Sequence, residues 1–453
     1  MPAHRLERLA EGPILSPVAI VLLSFAALML LLAARLPLAV AMLIVGAIGL
    51  AFVAGVPQTL SILKSQMVYQ FLNYDLSVIP MFMLMGAFVM RAGFSRSLFD
   101  CANAFLGHYR GGMAMGTIGA CAGFGSICGS SLATAATMAQ VALPELRRHG
   151  YSGALSTATL AAGGTLGILI PPSLVLVICA ILLETSIQSL FQAGMVPGFI
   201  AAFGYGAAIV FFVRMDPAAG PPGARVGWGE RGRALLEIWP VAVMFLLVMG
   251  GIYLGWFTPT QAASIGAVLA GAWAVVRGLR WKGLLECLLE TASASAMMYF
   301  VLFGASVLVS FLGFTRLPVQ LGAAIAGLGL PPMLVMVVIL AIFLALGCVM
   351  ESLSMIVLLV PIFWPILAAL DFGMPADDLK IWFSILALIT VEVGMITPPV
   401  GLNVFIINAM SRDVPMSQTF RGVVPFLVSD VLRLALLLGV PGITLAVPHL
   451  LKP

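Results

Sequence analysis

Two apolar stretches of this chain carry the same interruption. Gly167-Ile168-Leu169-Ile170-Pro171-Pro172 and Gly394-Met395-Ile396-Thr397-Pro398-Pro399 each set a glycine a full helical turn ahead of a double proline. Proline lacks a backbone donor and clashes with the preceding turn, so neither stretch can continue as one helix. Both lie in segments apolar enough to cross a bilayer. Non-helical backbone at that depth survives only where protein buries it or a polar cavity faces it. A matched pair of interrupted spans points to the binding site of a secondary transporter.

Composition agrees with a membrane setting: 62% of residues are hydrophobic and 9% charged, against roughly 25% charged in a soluble domain. The apolar runs suffice for about ten crossings of roughly 20 residues. Spans are expected near 14–34, 37–55, 76–90, 152–190 (broken), 197–213, 238–254, 258–276, 292–313, 381–411 (broken) and 424–447. The first run is too long for a signal peptide and lacks a small-residue cleavage site. Two further apolar stretches, 112–145 and 332–368, have glycine-bearing centres and read as re-entrant hairpins. With the N-terminus outside, most basic residues fall on one face, as the positive-inside rule requires. On that count Arg433 is left inside the last span, near its cytoplasmic end.

This topology predicts an all-α polytopic membrane protein built as an inverted repeat with two re-entrant hairpins and two broken helices. The first repeat is 1–213 and the second 234–453, with a cytoplasmic linker at 214–233 whose polar core runs from Asp216 to Gly232. Each half reads as two spans, an amphipathic connector (57–72, 281–290), a span, a hairpin and a broken span. Opposed halves would bring their irregular segments together at the midplane.

The candidate site residues sit at the hairpin tips and the breaks. The first group is Gly125, Ser126, Gly129, Ser130 and Ser131 of the tip, with Gly163, Gly164, Thr165, Pro171 and Pro172 of the broken span. Glycines permit the reversal, hydroxyls and freed carbonyls are hard oxygen ligands, and a half-helix starting near Ser131 aims its amide dipoles at the tip. The second group is Gly347, Glu351 and Ser352, with Glu392, Gly394, Thr397, Pro398, Pro399 and Asn403. Glu351 and Glu392 would each cost about 2.5–3.5 kcal/mol at a helix centre, so each needs a partner or water. Gly and Ser also let helices pack closely in lipid, and the two glutamates could simply brace the scaffold. Arg147 and Arg148 read as a charged flank. The six cysteines show no metal-ligand spacing and the four histidines fall at termini or loops. No catalytic Ser/Lys, paired Asp or His metal site lies within the apolar segments, which argues against an intramembrane enzyme.

At these residues the chain resembles the large permease subunit of tripartite ATP-independent periplasmic (TRAP) transporters. The resemblance runs from Leu36-Pro37 to the last span and is closest at Gly125–Ala136, Leu143-Pro144-Glu145-Leu146 with Gly150-Tyr151, Gly163–Ser173 and Gly394–Asn403. It implies an elevator carrier for a small organic acid or related polar solute in a bacterial inner membrane, with sodium as coupling ion and no other cofactor. It places Ser126, Gly129, Ser130 and Gly164 at one sodium site and Gly347, Glu351, Gly394 and Thr397 at another. It also implies two partners, a small membrane subunit of about four helices and a periplasmic solute receptor. No spare four-helix segment is present, so the small subunit is expected as a separate chain. Two departures are visible: Glu351 stands where many members carry Asp, and Cys128 where a small residue such as Ser is usual. The neighbouring alternative is a stand-alone ion-coupled carrier of dicarboxylate or arsenite type, without a receptor.

Overall fold

A computed structural model describes residues 17–451, and among them every regular element is a helix. Six helices are long and apolar enough to span a bilayer, or up to eight if each bent pair counts once. This is a multi-pass, all-helical membrane protein. Compactness divides it into two units. One gathers the described residues up to Leu76 with Ala296–Val337 and Val357–Gly373; the other holds Ser77–Ser295, Val338–Ile356 and the described residues from Met374 onward.

In the smaller unit, helices Pro17–Ala33 and Leu38–Ala54 are joined by a tight turn in which Arg35 has φ 64°. Gly46 lies against the backbone of Leu308, and Gly304 against Ala39. Small residues at these crossings let the backbones approach, the usual packing device where water gives no hydrophobic drive. Helix Val56–Leu72 follows, tethered by Gln70 donating to the carbonyl of Tyr299 at 3.3 Å.

The larger unit is built around two helices that are buried on all sides. Every residue from Leu155 to Leu169 is buried in helix Gly153–Leu169. In helix Ala376–Ile396 the best apolar window is 94% buried, while no other span exceeds 50%. A helix apolar all round belongs inside a bundle. These are the helices that lead into the two double prolines.

Several boundaries differ from those expected, each for a local reason. The first broken span ends at Leu182, where Glu184 turns left-handed at φ 50°. The next helix begins at Ile187 and not at 197, because Ser186 caps it and accepts from the Ser189 amide at 3.2 Å. Pro197 is carried inside that helix. The expected connector at 281–290 is the first part of one helix, Trp281–Thr315; no Gly or Pro lies between Leu284 and Phe303 to stop it. Its counterpart Val56–Leu72 does stop, at Asn73, whose side chain accepts from the Asp75 amide at 3.0 Å. The last long helix is Met416–Gly439, not 424–447; Val440 and Pro441 then open a separate short helix. Pattern reading missed a helix ahead of each hairpin, Phe94–Leu106 and Leu317–Gly327. Within the expected linker, Trp228–Glu237 is helical and the preceding backbone is pinned: the Gly111 and Ser152 amides each donate at 2.9 Å, to the carbonyls of Gly220 and Ala219.

Candidate functional site

The first hairpin consists of Gly112–Cys128 and Ser131–Arg148. Gly129, at φ 67°, makes the reversal in a conformation side chains rarely adopt. Ser130 is extended and caps the second arm, accepting from the Ala133 amide at 3.4 Å. The broken helix beside it bends by 44° between Gly153–Leu169 and Leu174–Leu182. Its Pro171–Pro172 peptide is cis. Ser173 restarts the helix: its hydroxyl donates to the carbonyl of Ile168 at 2.5 Å and accepts from the Leu176 amide at 3.4 Å. One carbonyl expected to be free is therefore already taken.

The tip and break meet backbone to backbone. A Cβ added to Gly125 would lie 2.6 Å from the Cα of Gly167, and one on Gly129 would lie 3.2 Å from the amide nitrogen of Leu174. Around this contact stand Ser130, Ser131, Thr134 and Gly164. Thr134 is fully buried, and its side chain lies against the Cys128 thiol of the tip. Its Oγ1 is 2.7 Å from where a Gly167 Cβ would stand. It is a hard, buried oxygen at the break, beside the Cys128 thiol, and sequence reading did not single it out. Ser126 donates to the carbonyl of Gly123 at 2.8 Å. Gly163 faces Cys121 of the hairpin arm, and Thr165 turns toward Tyr205, so these two lie off the tip.

The second arrangement repeats the first. Arms Pro332–Gly347 and Ser352–Ala368 flank a tip of Cys348, Val349, Met350 and Glu351. A Cβ on Gly394 would stand 2.6 Å from the carbonyl carbon of Gly347, the same close approach as Gly125 on Gly167. The helix ends at Ile396, the Pro398–Pro399 peptide is cis, and Gly401, at φ 57°, starts Leu402–Met410. The Gly401 amide donates to the carbonyl of Cys348 at 3.2 Å, hooking the break onto the tip. Thr397, half-buried, donates its hydroxyl to the carbonyl of Val393 at 2.5 Å. Glu351 accepts from the Ser354 hydroxyl at 3.4 Å, and Ser352 is buried. Pro398 and Pro399 are exposed, whereas Pro171 and Pro172 are buried.

Two residues assigned by sequence to the second tip go elsewhere. Asn403 is fully buried, and its amide donates to Ser131 Oγ at 2.8 Å and to the carbonyl of Ala161 at 3.1 Å. It joins the second break to the first tip, with its Oδ1 unpartnered among the described residues. Glu392 lies two residues before Gly394, about 200° around the helix, so it points away from the tip. Its partner is Arg433, 3.1 Å away and buried beside Asp430 as well. Arg147 is more than a charged flank: it binds Asp413 and Ser411 in the loop after the second broken helix.

The sequence profile described as the DctM component of the tripartite ATP-independent periplasmic transporters matches residues 25–443. The chain belongs to this family. Among its relatives is the C4-dicarboxylate TRAP transporter large permease protein DctM of Pseudomonas aeruginosa, 36% identical over 83% of this chain and 87% of that protein. The sialic acid TRAP transporter large permease protein SiaM of Vibrio cholerae is 29% identical over 83% of this chain and 87% of its own length. The isethionate TRAP transporter permease protein DctMQ of Oleidesulfovibrio alaskensis is 32% identical over 83% of this chain but only 57% of its own length. In fold, this DctM-family chain is similar to the YdaH transporter of Alcanivorax borkumensis, with TM-score 0.63 and 14% identity over 85% of this chain and 88% of that one.

Proposed function

We propose that this chain is the large permease subunit of a sodium-coupled TRAP importer in a bacterial inner membrane. It takes up a small organic acid or related polar solute that a periplasmic receptor delivers, and it works with a small membrane subunit. Family membership supports the transport role, and the relatives named for C4-dicarboxylates, sialic acid and isethionate support an acid as cargo.

The observation that carries the mechanism is the doubled contact of a hairpin glycine on a glycine that precedes a double proline, Gly125 on Gly167 and Gly347 on Gly394. Each contact sets a half-helix start and interrupted backbone side by side, the first of them capped by Ser130. Oxygens of this kind suit a small hard cation, and half-helix N-termini suit an anionic group. Gly125, Gly129, Ser130, Ser131, Thr134 and Gly164 would surround the first sodium, with Asn403 supplying an oxygen from the second break. Gly347, Glu351, Gly394 and Thr397 would surround the second. Hairpins and broken helices would move as one block, carrying solute and cation together, because opposed repeats give two equivalent end states.

The test is uptake into vesicles holding this chain and the small subunit, with solute-loaded receptor outside. Accumulation should require an inward sodium gradient and all three proteins. Equal uptake by this chain alone would favour the stand-alone carrier, and uptake indifferent to sodium would remove the coupling ion.

A further inference from the structure

Three ionisable side chains belonging to neither tip lie together inside the larger unit. Glu392 and Asp430 are fully buried, and Arg433 is 2% exposed. Arg433 Nη2 donates to Glu392 Oε2 at 3.1 Å and lies 2.9 Å from Asp430 Oδ1. The other Asp430 oxygen accepts from the Tyr205 hydroxyl at 2.8 Å, and that hydroxyl is 3.0 Å from Thr165 Oγ1. Thr165 follows Gly164 in the first broken helix, and Glu392 precedes Gly394 by two in the second. The five side chains form an unbroken polar path from one broken helix to the other, through helices Ile187–Met215 and Met416–Gly439.

Stability alone does not explain this path. Well-packed apolar residues in place of a buried ion cluster are commonly neutral or stabilising. Ionisable groups at membrane depth mark function. What charges supply and apolar packing does not is a steep, directional penalty for separation. If helix Ala376–Ile396 shifts and Arg433 does not follow, Glu392 is stranded as an unpaired buried charge; if Arg433 follows, Asp430 and Tyr205 must follow too.

We propose that this path is a mechanical link between the two breaks, with Arg433 as its central positioning residue, so that ligand binding at one tip sets the geometry of the other. The link rests on the reading of both breaks as binding sites. It is distinct from the direct bridge that Asn403 makes to Ser131, and no member of it needs to touch solute or cation.

The test uses the complete complex in vesicles. Tyr205→Phe removes one hydroxyl from the path without stranding a new charge, and the ring keeps its edge contact with Phe426, 5.5 Å between centroids. Insertion and melting temperature should stay near wild type. The half-saturating concentration of the coupling cation should rise about tenfold, in the range of ordinary site-to-site coupling, and its cooperativity should fall. Glu392→Gln should do the same, and the double variant should cost no more than the worse single, because either change cuts the same path. Unchanged cation dependence in Tyr205→Phe, additive effects in the double variant, or losses that track melting temperature alone would each overturn the link. If wild-type uptake proves to be driven by protons, the sodium reading fails on its own, and the link is scored by the same comparison with protons as the titrated cation.

Discussion

Gly125 and Gly394 are the positions where one added carbon should matter most. A Cβ at either would stand 2.6 Å from backbone atoms of the facing segment, which has no rotamer with which to retreat. Overpacking of this kind costs about 1–3 kcal/mol. Gly394→Ala and Gly125→Ala should lower the melting temperature in detergent and reduce uptake at least tenfold, whereas Gly206→Ala, with nothing within 4 Å, should change neither. Asn403 gives a second test at this scale. Asn403→Ala removes both donors to Ser131 and Ala161 and should cost about 1–3 kcal/mol, since it leaves a buried acceptor unmet. Its effect should be on cation affinity at the first tip, although in sequence it follows the second break. Wild-type cation dependence in Asn403→Ala would mean that this bridge is only packing.

Among the elements, the double prolines decide the fold. Replacing Pro171-Pro172 or Pro398-Pro399 by Ala-Ala restores backbone donors and lets each span wind through its break. Both variants should insert normally and fail to transport, read by membrane yield against uptake; wild-type uptake would make the breaks incidental. These breaks, the hairpin arms and the first tip were legible because Gly, Ser and Pro act through their immediate neighbours. The same locality explains what was missed. Ser186 and Glu184 set the start of the helix that was expected at 197, because a cap and a left-handed turn decide it and the helix carries Pro197 within it. Arg433 was left inside the last span without a partner because Glu392 and Asp430 are brought to it only by tertiary packing. Thr134 was missed because a buried threonine beside the break looks like any other hydroxyl until its surroundings are filled.

At the scale of the molecule, a hairpin followed by a break at a double proline occurs at Gly112–Leu182 and again at Pro332–Met410, while, among the described residues, Trp228–Glu237 and Pro441–Leu450 have no counterpart in the other half. The proposed carrier uses both tip-and-break pairs as binding elements, and that is the claim to test. Each tip carries one native thiol, Cys128 half-buried in the first and Cys348 buried in the second, while Cys101, Cys121, Cys179 and Cys287 are buried away from the tips. The most direct measurement is therefore the rate at which a small, membrane-permeant maleimide labels Cys128 and Cys348, each alone in a variant with the other five changed to Ala. Sodium, compared with potassium at equal ionic strength, should slow labelling at both tips, and adding solute-loaded receptor should slow it further. Rates indifferent to sodium at both thiols would contradict the claim that these tips hold the coupling ions.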